Sequence, residues 1–144
     1  MPKRIALKDR VVVDSVELSY FARDVRSRSE HERRDVSGFN ATGINEYLAG
    51  QTEQDVTVEF YGAYGAGEVH RTLEPIHKNR EVVPFAWCPD QTALVSADNP
   101  ELRGNVQLLS YGPGATRGEV DTFPATFTSA DENGLQWYDV PVGP

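Results

Sequence analysis

The sequence predicts a mainly β fold, a β-sandwich or barrel with one flanking α-helix. Three observations carry that expectation. Turn residues punctuate the chain at short intervals. From Gln54 to Gly62, apolar Val56, Val58 and Phe60 alternate with polar Asp55, Thr57 and Glu59, the period of a strand with one dry and one wet face. Helical spacing occurs once, around residues 67–78, where Val69, Leu73 and Ile76 stand at i, i+4 and i+7. At this length, residues 1–144 are expected to form one domain.

The elements follow in chain order. Val11 to Tyr20 reads as a strand, with Val12, Val16, Leu18 and Tyr20 on one face and Glu17 on the other. Residues 23–35 are almost wholly polar, and they read as a charged arm or hairpin tip, either solvated or ordered against a neighbouring subunit. Residues 38–53, with Gly38, Gly43 and Gly50, read as a long loop between subunits. After the Gln54–Gly62 strand comes the helix, which Pro75 should kink or restart within about three turns. Val82 to Trp87 is an apolar strand in which Pro84 marks an edge or a bulge. Asn105–Tyr111 and Val120–Thr128 are two more strands, joined by glycine-rich residues 112–118. Asp131-Glu132-Asn133-Gly134 is a turn, and Leu135 to Val140 is the last strand.

Composition narrows the chemistry. The net charge is −8, yet residues 1–40 hold nine Lys/Arg against seven Asp/Glu, and residues 41–144 hold five against fifteen. An acidic body repels phosphate, which disfavours ordinary nucleic-acid binding. No run approaches the ~18 apolar residues of a membrane span, and Met1 to Lys8 carry no secretory apolar stretch. The lone Cys88 excludes an internal disulfide framework and fits synthesis in a reducing cytoplasm. His70 and His77 would sit about 10 Å apart on a helix, too far to share one metal. Cys88 has no nearby cation to activate it, and the glycines of 112–118 lack the Lys-Ser/Thr of a phosphate loop. No catalytic, metal or cofactor site is expected.

The carboxy-terminal half carries a recognisable order of motifs. Ser96-Ala97-Asp98-Asn99-Pro100-Glu101 leads into the strand Gly104 to Tyr111. A Gly112-Pro113-Gly114 turn follows, then Gly118-Glu119-Val120-Asp121-Thr122-Phe123 and Ala125-Thr126-Phe127. This resembles the tail tube (major tail) proteins of long-tailed, non-contractile bacteriophages (siphophages), particularly those of Actinobacteria. Pro124 stands where that family's strand would carry a β-branched residue. The resemblance implies a structural virion protein, not an enzyme, whose hexameric rings stack into a tube with sheets joined edge to edge around a channel. Phage DNA would pass through without specific binding. The partners it implies are further copies of the chain, a tape measure protein, and terminator or distal tail proteins. The chain would be made in the host cytoplasm and reside in the virion. The wet strand faces then offer Glu17, Asp55, Thr57, Glu59, Glu119 and Asp121 as channel-facing residues. Subunit contacts would fall to Arg26, Arg28, Arg33, Arg34, Asn40, Tyr47 and Trp137.

Two other readings fit the same residues. One is a tail terminator or capsid decoration protein. The other is a carbohydrate-binding β-sandwich in which Trp87, Trp137 and Tyr138 stack on sugar rings from one exposed face, although Trp87, within an apolar strand, reads as core.

Overall fold

A computed structural model describes residues 8–39 and 42–141. Its strands are β1 (Arg10–Val13), β2 (Val16–Glu17), β3 (Ala22–Asp35), β4 (Tyr47–Tyr61), β5 (Val82–Cys88), β6 (Glu101–Tyr111), β7 (Thr122–Ser129) and β8 (Gln136–Tyr138). Among the described residues one helix, α1 (Val69–Asn79), lies between β4 and β5. The strands form one antiparallel sheet in the order β2-β1-β5-β6-β7-β4-β3, with β8 also on β6.

Chain geometry closes this sheet. Laid flat, the seven-strand row would separate β2 from β3 by roughly 29 Å. The chain crosses from Glu17 to Ala22, a stretch of at most about 18 Å. The sheet must therefore curl over until its edges approach, enclosing its inner face as a sandwich or partly open barrel does. Its inner face gathers Val11 and Val13, Phe85, Val106, Phe123 and Phe127, and Val56, Val58 and Phe60 into one core. The helix lays Val69, Leu73 and Ile76 on that core, as their spacing predicts. The helix runs through Pro75 without restarting, the proline lying on its exposed side. Arg80 ends the helix in the left-handed conformation.

Several expectations change. The Val11–Tyr20 strand is a hairpin, because Asp14 and Ser15 take positive φ (50° and 64°) and reverse the chain. The reversal buries Val11, Val13 and Leu18, whereas Val12 and Val16 are only partly buried and Tyr20 is 90% exposed. Residues 23–35 belong to one strand, its pairing shifted in register at Ala22/Asp24 and at His31/Arg33, and Tyr47–Glu53, read as loop, begin β4. Backbone pairing with each other supplies the order that their polar side chains do not. Trp87 is half-buried at the rim of the core, not inside it.

Both strand prolines sit in interior strands, and β7 pairs on both sides despite Pro124. Pro84 accepts a bond from Asp14 N–H (2.9 Å) just past the end of β1, and Pro124 accepts one from Gly112 N–H (3.3 Å) just past β6. Each turns its missing N–H toward a flank whose ladder has run out. After β7, residues 130–135 step off the sheet, and β8 resumes the same line along β6. Gly104 makes room for this excursion: a Cβ there would come within 2.7 Å of the Gly134 carbonyl and 2.9 Å of Leu135.

Candidate functional site

The polar face of the sheet is built by the alternation that builds the core. Because Val56, Val58 and Phe60 point inward, Asp55, Thr57 and Glu59 point outward. Register places Arg28, Arg26 and Asp24 of β3 opposite Asp55, Thr57 and Glu59, with Thr128, Thr126 and Pro124 of β7 on their other side. Arg28 is the hub of this face. Its guanidinium donates to Asp55 (2.6 Å) and Glu53 (3.3 Å) and also pairs with Glu30. Those bonds hold its proton more tightly than in a free arginine. Glu59 pairs with Arg23 at 3.5 Å. The two central carboxylates are therefore each matched by an arginine.

The other channel candidates are not gathered here. Glu17 lies on β2, which pairs with neither β3 nor β4, and accepts from Ser19 Oγ at 3.2 Å. Glu119 and Asp121, expected on a strand face, belong to the loop between β6 and β7, because β7 begins only at Thr122. That loop folds back on β4: the Asp121 carbonyl accepts the Gly62 N–H at 2.8 Å. Glu119 lines a cleft with Arg23, Tyr61 and Thr122.

Among the contact candidates, Arg33, Arg34 and Tyr47 share the two-stranded ribbon where β3 and β4 run on past β7, whereas Arg26 and Arg28 stand on β3 opposite β4 residues that β7 also pairs. Arg33 stacks on Tyr47 with its Cζ 3.6 Å from the ring centroid, and Arg34 pairs with Glu32 at 3.3 Å. His31 meets Thr52 Oγ1 at 2.7 Å. Around the tip, Val36, Phe39, Ile44 and Leu48 are exposed, an apolar group that sequence reading missed because no period connects it. Asn40 lies outside the described residues.

Trp137 is far from the ribbon in the strand order, on β8 beside Trp87, with ring centroids 5.7 Å apart and planes at 56°. Trp87 Nε1 donates to Asp9 at 2.9 Å, and Arg103 lies over Tyr138. Two tilted indoles packed on each other do not make a flat platform for a sugar ring. A second feature missed in sequence is Asn99, 6% exposed. Its side chain accepts from Asp90 N–H (3.0 Å) and donates toward the carbonyls of Asp90, Ala93 and Leu94, organising the loop before β6. Only its place in the Asn-Pro turn hinted at that role.

Both histidines of the helix have structural partners. His70 meets the Tyr111 hydroxyl at 3.0 Å, and His77 meets the Leu108 carbonyl at 3.2 Å. Burial and the Glu101 carboxylate push the Cys88 thiol up, away from thiolate. Glu101, 2% exposed, is held by Arg103 and lies 3.9 Å from Arg10. Among the described residues, no group of His, Cys, Asp and Glu is placed to hold a metal ion, and no helix is long and apolar enough to cross a membrane.

No family model matches the chain, and no curated protein does. Solved structures do. A chain from the virion of a native gene transfer agent particle superposes with a TM-score of 0.74, at 14% identity, over 94% of this chain and 99% of that one. The resemblance is one of fold. The SPP1 tail tube gives 0.68 at 14% identity over 94% of this chain and 77% of that one. The tail of an empty gene transfer agent particle, refined helically with C6 symmetry, gives 0.65 at 16% identity over 82% of each. The mainly β sheet with its single helix is thus the fold of known tail tube structures.

Proposed function

We propose that this chain is a tail tube subunit of a phage-like virion, a structural protein that assembles into hexameric rings stacked as a conduit for the genome. The observation that supports this most is end-to-end correspondence with the gene transfer agent virion chain, 94% of this one and 99% of that one. The β3–β4 ribbon supports it independently. Two strands with both faces wet are marginal alone in water, and a neighbouring subunit supplies the packing they lack.

In this reading Asp55, Thr57 and Glu59 line the channel, with Glu17, Glu119 and Asp121 at its margins. The acids of the polar face (Asp24, Glu30, Glu53, Asp55 and Glu59) outnumber Arg23, Arg26 and Arg28. DNA therefore slides past a wall that gives its phosphates no net attraction. Arg26 and Arg28 on β3, the ribbon's Arg33, Arg34 and Tyr47, Trp137 on the body, and Asn40 contact neighbours. Tape measure, terminator and distal tail proteins bind the tube's interior and ends. The subunit is made in the cytoplasm of a bacterial host, and the tail is of the non-contractile, siphophage kind.

A second reading, a protein that forms one ring without stacking, draws on the six-fold symmetrised anti-feeding prophage baseplate. Its matching chain superposes with a TM-score of 0.59 at 11% identity over 99% of this chain and all of that one. Negative-stain electron microscopy of the purified chain over a concentration series separates the two. Long tubes with a stain-filled axial hole are expected, and Arg33→Glu with Arg34→Glu should abolish them while leaving the β circular dichroism intact. Rings that never stack favour the second reading. Absence of any ring or tube at the highest concentration counts against both.

A further inference from the structure

The longest unsatisfied feature of the fold is the outer edge of β3. Among the described residues, this strand is paired with β4 alone. Val36 N–H bonds to the Glu46 carbonyl across the hairpin at 2.9 Å, and Tyr61 N–H bonds to the Phe21 carbonyl at 2.7 Å, one register shift earlier. Backbone groups alternate sides along a strand. The shift at Ala22/Asp24 adds a residue to β3 and the one at His31/Arg33 adds it to β4, so from Asp24 onward the even-numbered residues of β3 turn their N–H and C=O to β4, and the odd-numbered ones turn theirs to the open edge. An open edge of this length must be covered or it will recruit a strand.

The charges on this edge form a palindrome. Asp24, Arg26, Arg28, Glu30, Glu32 and Arg34 occupy successive positions on one face of β3. Let a second β3 run antiparallel beside the first, with Ser29 opposite its own counterpart. Odd residues then meet odd residues, so the outward N–H and C=O groups bond across the joint. On the shared face Arg28 stands opposite Glu30, Arg26 opposite Glu32, and Asp24 opposite Arg34. These are the non-hydrogen-bonded positions, where cross-strand side chains come closest. Sliding the partner one allowed step brings Arg28 against Arg28 and Asp24 against Glu32. Sliding it the other way brings Glu30 against Glu30 and Arg26 against Arg34. The first register sets six unlike pairs and no like ones, whereas each neighbour sets three like pairs against two unlike ones (Arg26 with Glu30, or Arg28 with Glu32), so the first is favoured.

We propose that two copies of this chain pair along their β3 edges in that register, forming a two-fold dimer. The same-strand pairs seen in the single chain, Arg26 with Asp24 at 3.1 Å and Arg34 with Glu32 at 3.3 Å, are exposed and weak, so these groups are free to join the cross-strand ladder. The contact is isologous and consumes the edge on both chains, so it closes and cannot propagate. The pairing stands on β3 alone; its role as a reservoir that must open before rings form rests on the tail tube reading.

Sedimentation of the full chain at roughly 10–200 µM, where an edge contact of this small size is populated, tests it. Wild type should dimerise. Arg26→Glu and Glu32→Arg should each raise the dissociation constant about ten- to a hundredfold, because each sets a like-charged pair in both halves of the dimer. Circular dichroism should show both variants folded. An equimolar mixture of the two variants sets unlike charges opposite each other again, and it should recover dimer to within about threefold of wild type. A wild-type chain that stays monomeric or passes to tubes with no dimer overturns the pairing. So do single variants that dimerise like wild type, or a mixture that stays monomeric. Dimers that obey the pattern yet yield no ring or tube at any concentration uphold the pairing and count against the tube reading.

Discussion

β4 is one continuous strand with two unlike halves. From Asp55 to Tyr61 it alternates between buried and outward residues, with β3 on one side and β7 on the other. From Tyr47 to Glu53 it has β3 alone, and nearly every side chain is exposed. The first half is held by its own core. The second is held by a ladder and by polar contacts such as Arg28 with Glu53 and Arg33 on Tyr47. The same backbone geometry therefore serves two ends: where one phase of the alternation is apolar it makes a fold, and where neither is it makes a surface that awaits a partner.

The sharpest way to break that comparison is to cut a side chain from each half. Phe60 is fully buried in the core, and Phe60→Ala should cost about 3–5 kcal/mol, a large part of a domain's total stability. Leu48, 62% exposed, should change stability by no more than about 0.5 kcal/mol when replaced by Ala. Urea titrations of the two variants check both. A large loss at Leu48 would mean that the ribbon already packs on something in the single chain.

Gln54 stands at the joint of the two halves, and its effect should be intermediate. Its Nε2 donates to the Leu135 carbonyl and its Oε1 accepts the Leu135 N–H, both at 2.8 Å, pinning residues 130–135 over the open end of the core. Gln54→Ala leaves two part-buried backbone groups unpaired, a loss of about 1–3 kcal/mol. Hydrogen exchange should quicken at Leu135 and leave Val56 and Val58 protected.

What could be read in the sequence follows the same division. The Gln54–Gly62 alternation, the helix and its buried face, and the strand at Val82 to Trp87 were legible because apolar residues mark the period directly. The amino-terminal hairpin was not. Asp14-Ser15 does not carry the glycine that usually announces a two-residue reversal, so its strands merged into one with the wrong face inward. β3 was invisible as a strand because neither of its faces is apolar; its signal is the pairing itself, which only the fold supplies. The candidate site was partly legible. Asp55, Thr57 and Glu59 follow from the alternation, whereas the arginines that neutralise Asp55 and Glu59 come from cross-strand register. Glu119 and Asp121 were misplaced because the glycine-rich connection runs further than its glycines show.

The smallest expected effect concerns the body alone, in alkali. Tyr111 is partly buried among Tyr64, His70 and Phe123. Desolvation, with the nearby Tyr64 and Glu74, pushes its phenol from the usual 10 up to about 12. The folded state thus disfavours the phenolate relative to the unfolded chain. Its contribution is fully present below the unfolded value of about 10 and is lost as pH rises toward the folded value of about 12. Wild type should therefore lose stability across that window. Tyr111→Phe removes the titrating hydroxyl, so it should lower stability slightly at neutral pH, through the lost bond to His70, and flatten the alkaline decline. Urea midpoints measured at about pH 9 and about pH 11.5 give the comparison. If the decline persists unchanged in Tyr111→Phe, the loss belongs to another group, and the aromatic cluster beside α1 tolerates a charge that its burial should exclude.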